Sequence, residues 1–174
     1  EELTEAGIKD VTTITPGVDL DAFTPKVRIG VIGRTYHTGR KGEALVAGWA
    51  GSGPDLMRQL LAGWWQLIGE TPLGGLPKLM VAEARNFPDI AELYHREVMQ
   101  RGCALVARAI DYGHARGEFR SPGDARTVDA VMAPLLLYVL MKHSFGSSAD
   151  ACCGASEADD IRFRIEFSIQ ALLP

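Results

Sequence analysis

Few side chains in this sequence stand at spacings that carry chemistry. Glu92 and His95 are three apart, which on one helix face offers a carboxylate and an imidazole to a metal. A di-iron bundle needs two such pairs and further carboxylates. Only this pair occurs, so a solvated helix face is expected and no metal is assigned. His37 and His114 have no nucleophile or carboxylate arranged around them, and no G-x-S-x-G, Walker A or zinc pattern is present. Gly30 and Gly33 repeat only a fragment of a dinucleotide fingerprint, which a tight turn after a strand accounts for. The cysteines, Cys103, Cys152 and Cys153, are odd in number, and the adjacent pair does not fit zinc-ligand spacing. Reduced thiols of a cytoplasmic protein are the simplest reading. The expectation is a protein that is no enzyme and holds no cofactor.

Composition narrows the classes further. The chain has 174 residues and a formal net charge of −4, enough length for one sizeable core without disulfide staples. A sequence pI near 5.6 argues against a large basic footprint for nucleic acid. The longest apolar stretch, Val131 to Met141, is eleven residues, contains Pro134, and is too short to cross a bilayer. The opening EELTEAGIKD is acidic and lacks the apolar segment of a secretory leader.

Two textures follow one another along the chain. Residues 1–43 are rich in β-branched residues, prolines and glycines, and two short strands are expected, Val11 to Thr15 and Val27 to Ile32. Residues 44–174 are helical in pattern. From Pro54, residues Leu56, Met57, Leu60, Leu61, Trp64, Trp65, Leu67 and Ile68 recur at spacings of three and four, which buries one helix face. Thr71 to Gly75 ends that helix, and a second runs from Leu76 to about Asn86. Pro88 opens a long third helix to about His114, with Ile90, Tyr94, Val98, Leu105, Ala109 and Tyr112 inward and Gly117 at its end. Asp124 caps a fourth, through Met132 to His143, with a kink at Pro134 and a stop at Gly146. In the last segment Ile161, Phe163, Ile165, Phe167 and Ile169 alternate as a strand would. Ser156 with Asp159 resembles a capping box, and Ile161, Ile165, Ile169 and Leu172 share one helix face, so a helix is expected.

The segment LAGWWQLIGETPLGGLPKLMVAEARNFPDIAELYHREVMQRG, followed by ARGEFRSPGDARTVDAVMAPLLLYVLMKHSF, resembles the C-terminal regulatory domain of TetR-family transcriptional repressors. That resemblance covers about three quarters of the chain. It implies a mainly α fold, dimerisation through the last two helices, and a pocket for a small hydrophobic effector among the middle ones. Trp64, Met80, Glu83, Tyr94, His95 and Met99 are the candidates to line such a pocket, the aromatics and methionines as adaptable apolar surface. In place of the family's helix-turn-helix domain, this sequence carries another segment with no recognition helix and no basic face. DNA contact is expected only through a domain missing here.

Residues 1–43 instead resemble a fragment of a retaining GT-B glycosyltransferase. TPGVDLDAFTP is similar to the linker that opens the nucleotide-sugar domain, and RIGVIGR followed by RKGE to its first strand and phosphate-contacting loop. By that resemblance Arg34 and Lys41 would face a donor diphosphate. The acceptor domain and the later acidic motif have no counterpart, so no catalysis is expected. The chain reads as a chimera of a partial transferase and a regulatory domain.

Association is the strongest physical expectation. Leu135 to Met141 is apolar all around a helix, which demands cover on every side. Phe163 and Phe167 add to this beside the terminal isoleucines. Pairing both helices across a two-fold axis gives a homodimeric four-helix interface, which is put ahead of the alternative that these helices simply form the core of a monomer. The expected contacts are Leu135, Leu136, Tyr138, Val139, His143, Ile165, Phe167, Ile169 and Leu172.

Overall fold

The computed structural model describes residues 45–146 and 156–174. The strands expected at Val11 to Thr15 and Val27 to Ile32, the cations Arg34 and Lys41, and Cys152 and Cys153 lie outside the described residues. The described part is mainly helical: 79% of its residues are helical, π and 3-10 turns included, and there is no strand.

Helix α1 (Gly53–Trp64) starts where Ser52 accepts from the Asp55 amide at 3.2 Å and a proline occupies the first turn. Its inward row is Leu56, Met57, Leu60 and Leu61, all buried. The chain then widens into one π turn, Trp65–Gly69, closed by the Glu70 amide on the Trp65 carbonyl at 3.1 Å. Thr71 caps a short 3-10 turn, Pro72–Gly74, and α2 (Gly75–Glu83) follows directly. Helix α3 (Pro88–Tyr94) opens on its proline and passes through a second π turn, His95–Met99, into α4 (Gln100–Ala115).

This corrects the single long helix expected from Pro88 to His114. A π turn adds one residue to a turn without disturbing the apolar spacing on either side, so periodicity does not reveal it. Burial is also displaced toward the C-terminal end. Val106, Ala109, Ile110 and Gly113 are buried, whereas Ile90, Tyr94 and Val98 are only half-buried.

The end of α4 positions two side chains at once. Gly117, at φ 72°, ends the helix in a Schellman motif: the Glu118 amide donates to the Gly113 carbonyl and the Gly117 amide to that of His114, both at 2.9 Å. Glu118 then reaches across to accept from the Gly53 amide at 2.5 Å, capping α1. Phe119, buried, lies on Gly113, where a Cβ would come within 2.3 Å of its ring. Gly53 in turn lies on Gly113, so α1 and α4 meet backbone to backbone.

Helix α5 (Ala125–Phe145) begins at Asp124, which accepts from the Thr127 amide at 2.8 Å, and ends at Gly146, φ 58°. It runs between the cap and the stop expected from sequence, and at 21 residues, unlike the eleven-residue apolar stretch within it, it is long and apolar enough to cross a membrane by length and composition. Its inner row, Val128, Val131, Leu135, Tyr138 and Val139, is instead built into the core. Helix α6 (Glu157–Gln170) is capped by Ser156 and settles the ambiguity of the last segment in favour of a helix. It packs on both α1 and α5.

Pro134 removes the amide that would have met the Ala130 carbonyl. The buried Ser168 hydroxyl of α6 donates to the neighbouring Val131 carbonyl at 2.9 Å, and Arg164 donates to that of Pro134 at 3.4 Å. The last helix thus serves the weakened stretch of α5. Ser168→Ala leaves the hydroxyl's partner without that donor, and a loss of about 1–2 kcal/mol is expected in urea unfolding.

Candidate functional site

The π turn that follows α1 meets α5 and α6 in a stack of rings and cations. The Trp65 indole is buried and seats on Gly69, where a Cβ would stand 2.3 Å from the ring. It meets Tyr138 with centroids 5.5 Å apart and planes tilted by 49°. Arg164 of α6 covers the Tyr138 ring at 4.8 Å while pairing with Asp160 at 3.0 Å. Lys142, one turn beyond Tyr138, lies over the Trp65 ring at 5.3 Å. Its ammonium donates to the Gly69 carbonyl at 3.0 Å and to Glu157 at 2.5 Å. One side chain of α5 therefore holds the π turn of α1 and the first residue of α6 together.

The outer sides of α5 and α6 each carry an exposed row of large apolar side chains. Leu137, Met141 and Phe145, four apart, form an exposed row on α5, and Phe163 and Phe167 form another on α6 with their rings stacked at 6.1 Å. From Ala130 to Phe145 no exposed residue of α5 carries a charge.

This finding relocates the interface residues expected from sequence. Leu135, Tyr138, Val139, Ile165, Ile169 and Leu172 are buried in the chain's own core, so they are not free to meet a second copy. Leu136 and His143 are half-buried, and Phe167 alone of the nine is exposed. The reason is geometric. A helix apolar on all sides does not say which side its own neighbours take; α2, α4 and α6 pack against this one, and Leu135 and Val139 are among the residues they bury. His143 packs instead on the 3-10 turn, where a Cβ at Gly74 would be 2.3 Å from its Nε2.

The residues expected to line an effector pocket are only partly gathered. Trp64 is half-buried and packs against the core. Met80 and Glu83 lie half-buried on α2, with Glu83 accepting from the Asn86 side chain at 2.8 Å. Tyr94 is half-buried on α3, and burial pushes its phenol above its usual pKa. His95 and Met99, on the second π turn, face outward and do not join them. Glu92 is exposed and lies 3.9 Å from Arg96, so the E-x-x-H pair is a solvated face. Among the described residues no group of three or more histidine, cysteine or acidic side chains is placed to hold a metal.

Three carboxylates with depressed pKa values pin the helices. Glu118 is lowered first by the Gly53 amide and then by Arg116. Asp124 is lowered first by the Thr127 amide. Glu166 is lowered first by its hydrogen bond from Arg58, a forked pair with donor distances of 2.5 and 2.9 Å. Each folded-state pKa lies below its unfolded value, so each contributes stability above the ordinary carboxylate range and loses it as pH falls through the folded pKa. The urea midpoint is therefore expected to drop between pH 7 and pH 3. Glu118→Gln should lower the midpoint at pH 7 and shrink that drop; an unchanged drop would remove Glu118 from the set.

Sequence reasoning missed Lys142 and Arg164, because nothing in local spacing marks a cation that pairs with a ring on another helix. The row Leu137, Met141 and Phe145 had a signal, its spacing of four, hidden in a continuous apolar run. No protein-family model, curated protein or solved structure matches this chain.

Proposed function

We propose that the helical unit is a ligand-responsive, self-associating regulatory domain of a TetR-type transcription regulator, acting in the cytoplasm by binding rather than catalysis. The observation that carries this reading is the pair of exposed apolar rows on α5 and α6, two helices packed against each other. Leu137, Met141, Phe145, Phe163 and Phe167 leave on the order of 500 Å² of apolar side chain in water, from typical side-chain areas. A standard interface buries roughly 800 Å² per partner, with a centre rich in aromatic residues and Met. A two-fold arrangement sets the same rows against themselves and makes a four-helix contact.

The half-buried apolar side chains of α2 and α3 support the sensing role. Neither Met80 nor Tyr94 is committed to the core, so a small hydrophobic effector can complete their burial at little structural cost. Such an effector acts on the dimer only through different affinities for two arrangements of the helices. DNA contact would run through a helix-turn-helix domain joined to this unit. Sedimentation equilibrium of the whole chain tests the proposal: a dimer with a micromolar or tighter dissociation constant is expected, and a clean monomer at tens of micromolar overturns it.

A further inference from the structure

We propose that Lys142 and the Trp65–Tyr138–Arg164 stack form a coupling device that passes the state of the α1 π turn to α6 and its outward phenylalanines. This rests on the regulatory reading above and names how the dimer face would be controlled.

Two features of the π turn make it a movable part. It holds one residue more than an α turn, closed by the Glu70-to-Trp65 bond, and a shift of hydrogen-bond register moves such an extra residue along the helix rather than removing it. The shift cannot stay local. The Trp65 ring is seated on the Gly69 backbone, so ring and carbonyl move together. The ring is read by Tyr138 and the carbonyl by Lys142, one turn apart on α5. Both readers are tied onward to α6, Tyr138 through Arg164 and Lys142 through Glu157. Phe163 and Phe167 flank Arg164 on that helix, with their rings in water.

Close packing makes this connection stepwise rather than elastic. With Trp65 at 4% exposure and Tyr138 at 6%, neither ring has room to adjust by small amounts. Lys142 is the positioning residue of the set: its charge meets the π-turn carbonyl, a carboxylate and a ring at once. Its removal leaves α1 and α6 folded but no longer joined through one group.

The test is a double-mutant cycle on the full chain, read by the dimer dissociation constant and by amide exchange of Ile165 and Ile169. Deleting the exposed Gln66 removes the extra residue of the π turn. In the native background it is expected to change the dissociation constant at least about 5-fold, the lower end of ordinary coupling between sites. With Lys142→Met, the same deletion is expected to change it less than about 2-fold, and Lys142→Arg should restore the larger change. Equal changes in both backgrounds, or none in the native one, overturn the proposal. If the deletion does not fold, Gly69→Ala takes its place, because its methyl displaces the same ring. A native chain that never dimerises sinks the regulatory reading instead. The coupling then stands or falls on α6 amide exchange alone, which must respond to the π-turn change only while the residue-142 cation is present.

Discussion

With glutamate at Leu137 and Phe167, the chain sediments as a monomer at tens of micromolar, and its melting midpoint stays where it was or rises. Both side chains are more than half exposed, at 56% and 58%, so little inside the protomer is lost when they change beyond the stacking of Phe167 on Phe163. Across a two-fold interface each substitution acts twice, and each places a carboxylate in a contact made by apolar side chains. Losing hot-spot apolar contacts and adding buried charge is expected to weaken the dimer roughly 100-fold or more. The control lies two residues away. Leu135 is 0% exposed, and Leu135→Glu buries an unpaired charge among Val131, Val139 and α6, so it should fail to fold. If Leu137→Glu unfolds the chain as Leu135→Glu does, the outward row is core. If it changes neither stability nor mass, the row is bare surface.

Gly113→Val and Gly102→Ala, eleven residues apart on α4, should move stability in opposite directions. A side chain at Gly113 has no place to go: its Cβ would lie 2.3 Å from one Phe119 ring atom and 2.5 Å from another. Overpacking of this kind costs about 3 kcal/mol or more, because Phe119 is itself buried at 2% and cannot swing away. At Gly102 a methyl would find nothing within 4 Å, so Gly102→Ala gains about 0.5–1 kcal/mol of helix propensity and nothing opposes it. Phe119→Ala should cost about 3–5 kcal/mol on its own. Combined with Gly113→Val, it should cost less than the sum, since the second change makes room for the first. Urea unfolding of the five proteins, native included, measures each term. Additive losses would show that Gly113 and Phe119 do not share the space described.

The elements were readable where one physical signal acted alone. The row that starts at Leu56 repeats at helical spacing, and Leu56, Met57, Leu60, Leu61 and Trp65 bury as expected. Asp124 and Ser156 carry the side-chain oxygens that a first turn needs, and each caps its helix. In the last segment two periodicities were both real. Ile161, Ile165 and Ile169 line the core, while Phe163 and Phe167 stand between them on the outside, which produces strand-like alternation on a helix. What escaped sequence reasoning depends on partners far away in the chain. Leu135 and Leu137 are identical in type, and only the packing of α2, α4 and α6 makes one core and the other surface. The π turns at Trp65 and His95 left no mark, since one inserted residue preserves the pattern before and after it.

The fork between Arg58 and Glu166 joins residues 108 positions apart. Helix α6 supplies Ile161, Ile165 and Ile169 to a core whose other walls are made much earlier in synthesis. On the ribosome, a nascent chain lacking α6 would expose an unfilled trough along α1 and α5 and leave Arg58 without its distant carboxylate. Folding of this unit must therefore wait for its final helix to emerge, and during that interval a chaperone would find its natural handhold in the trough that α6 later fills.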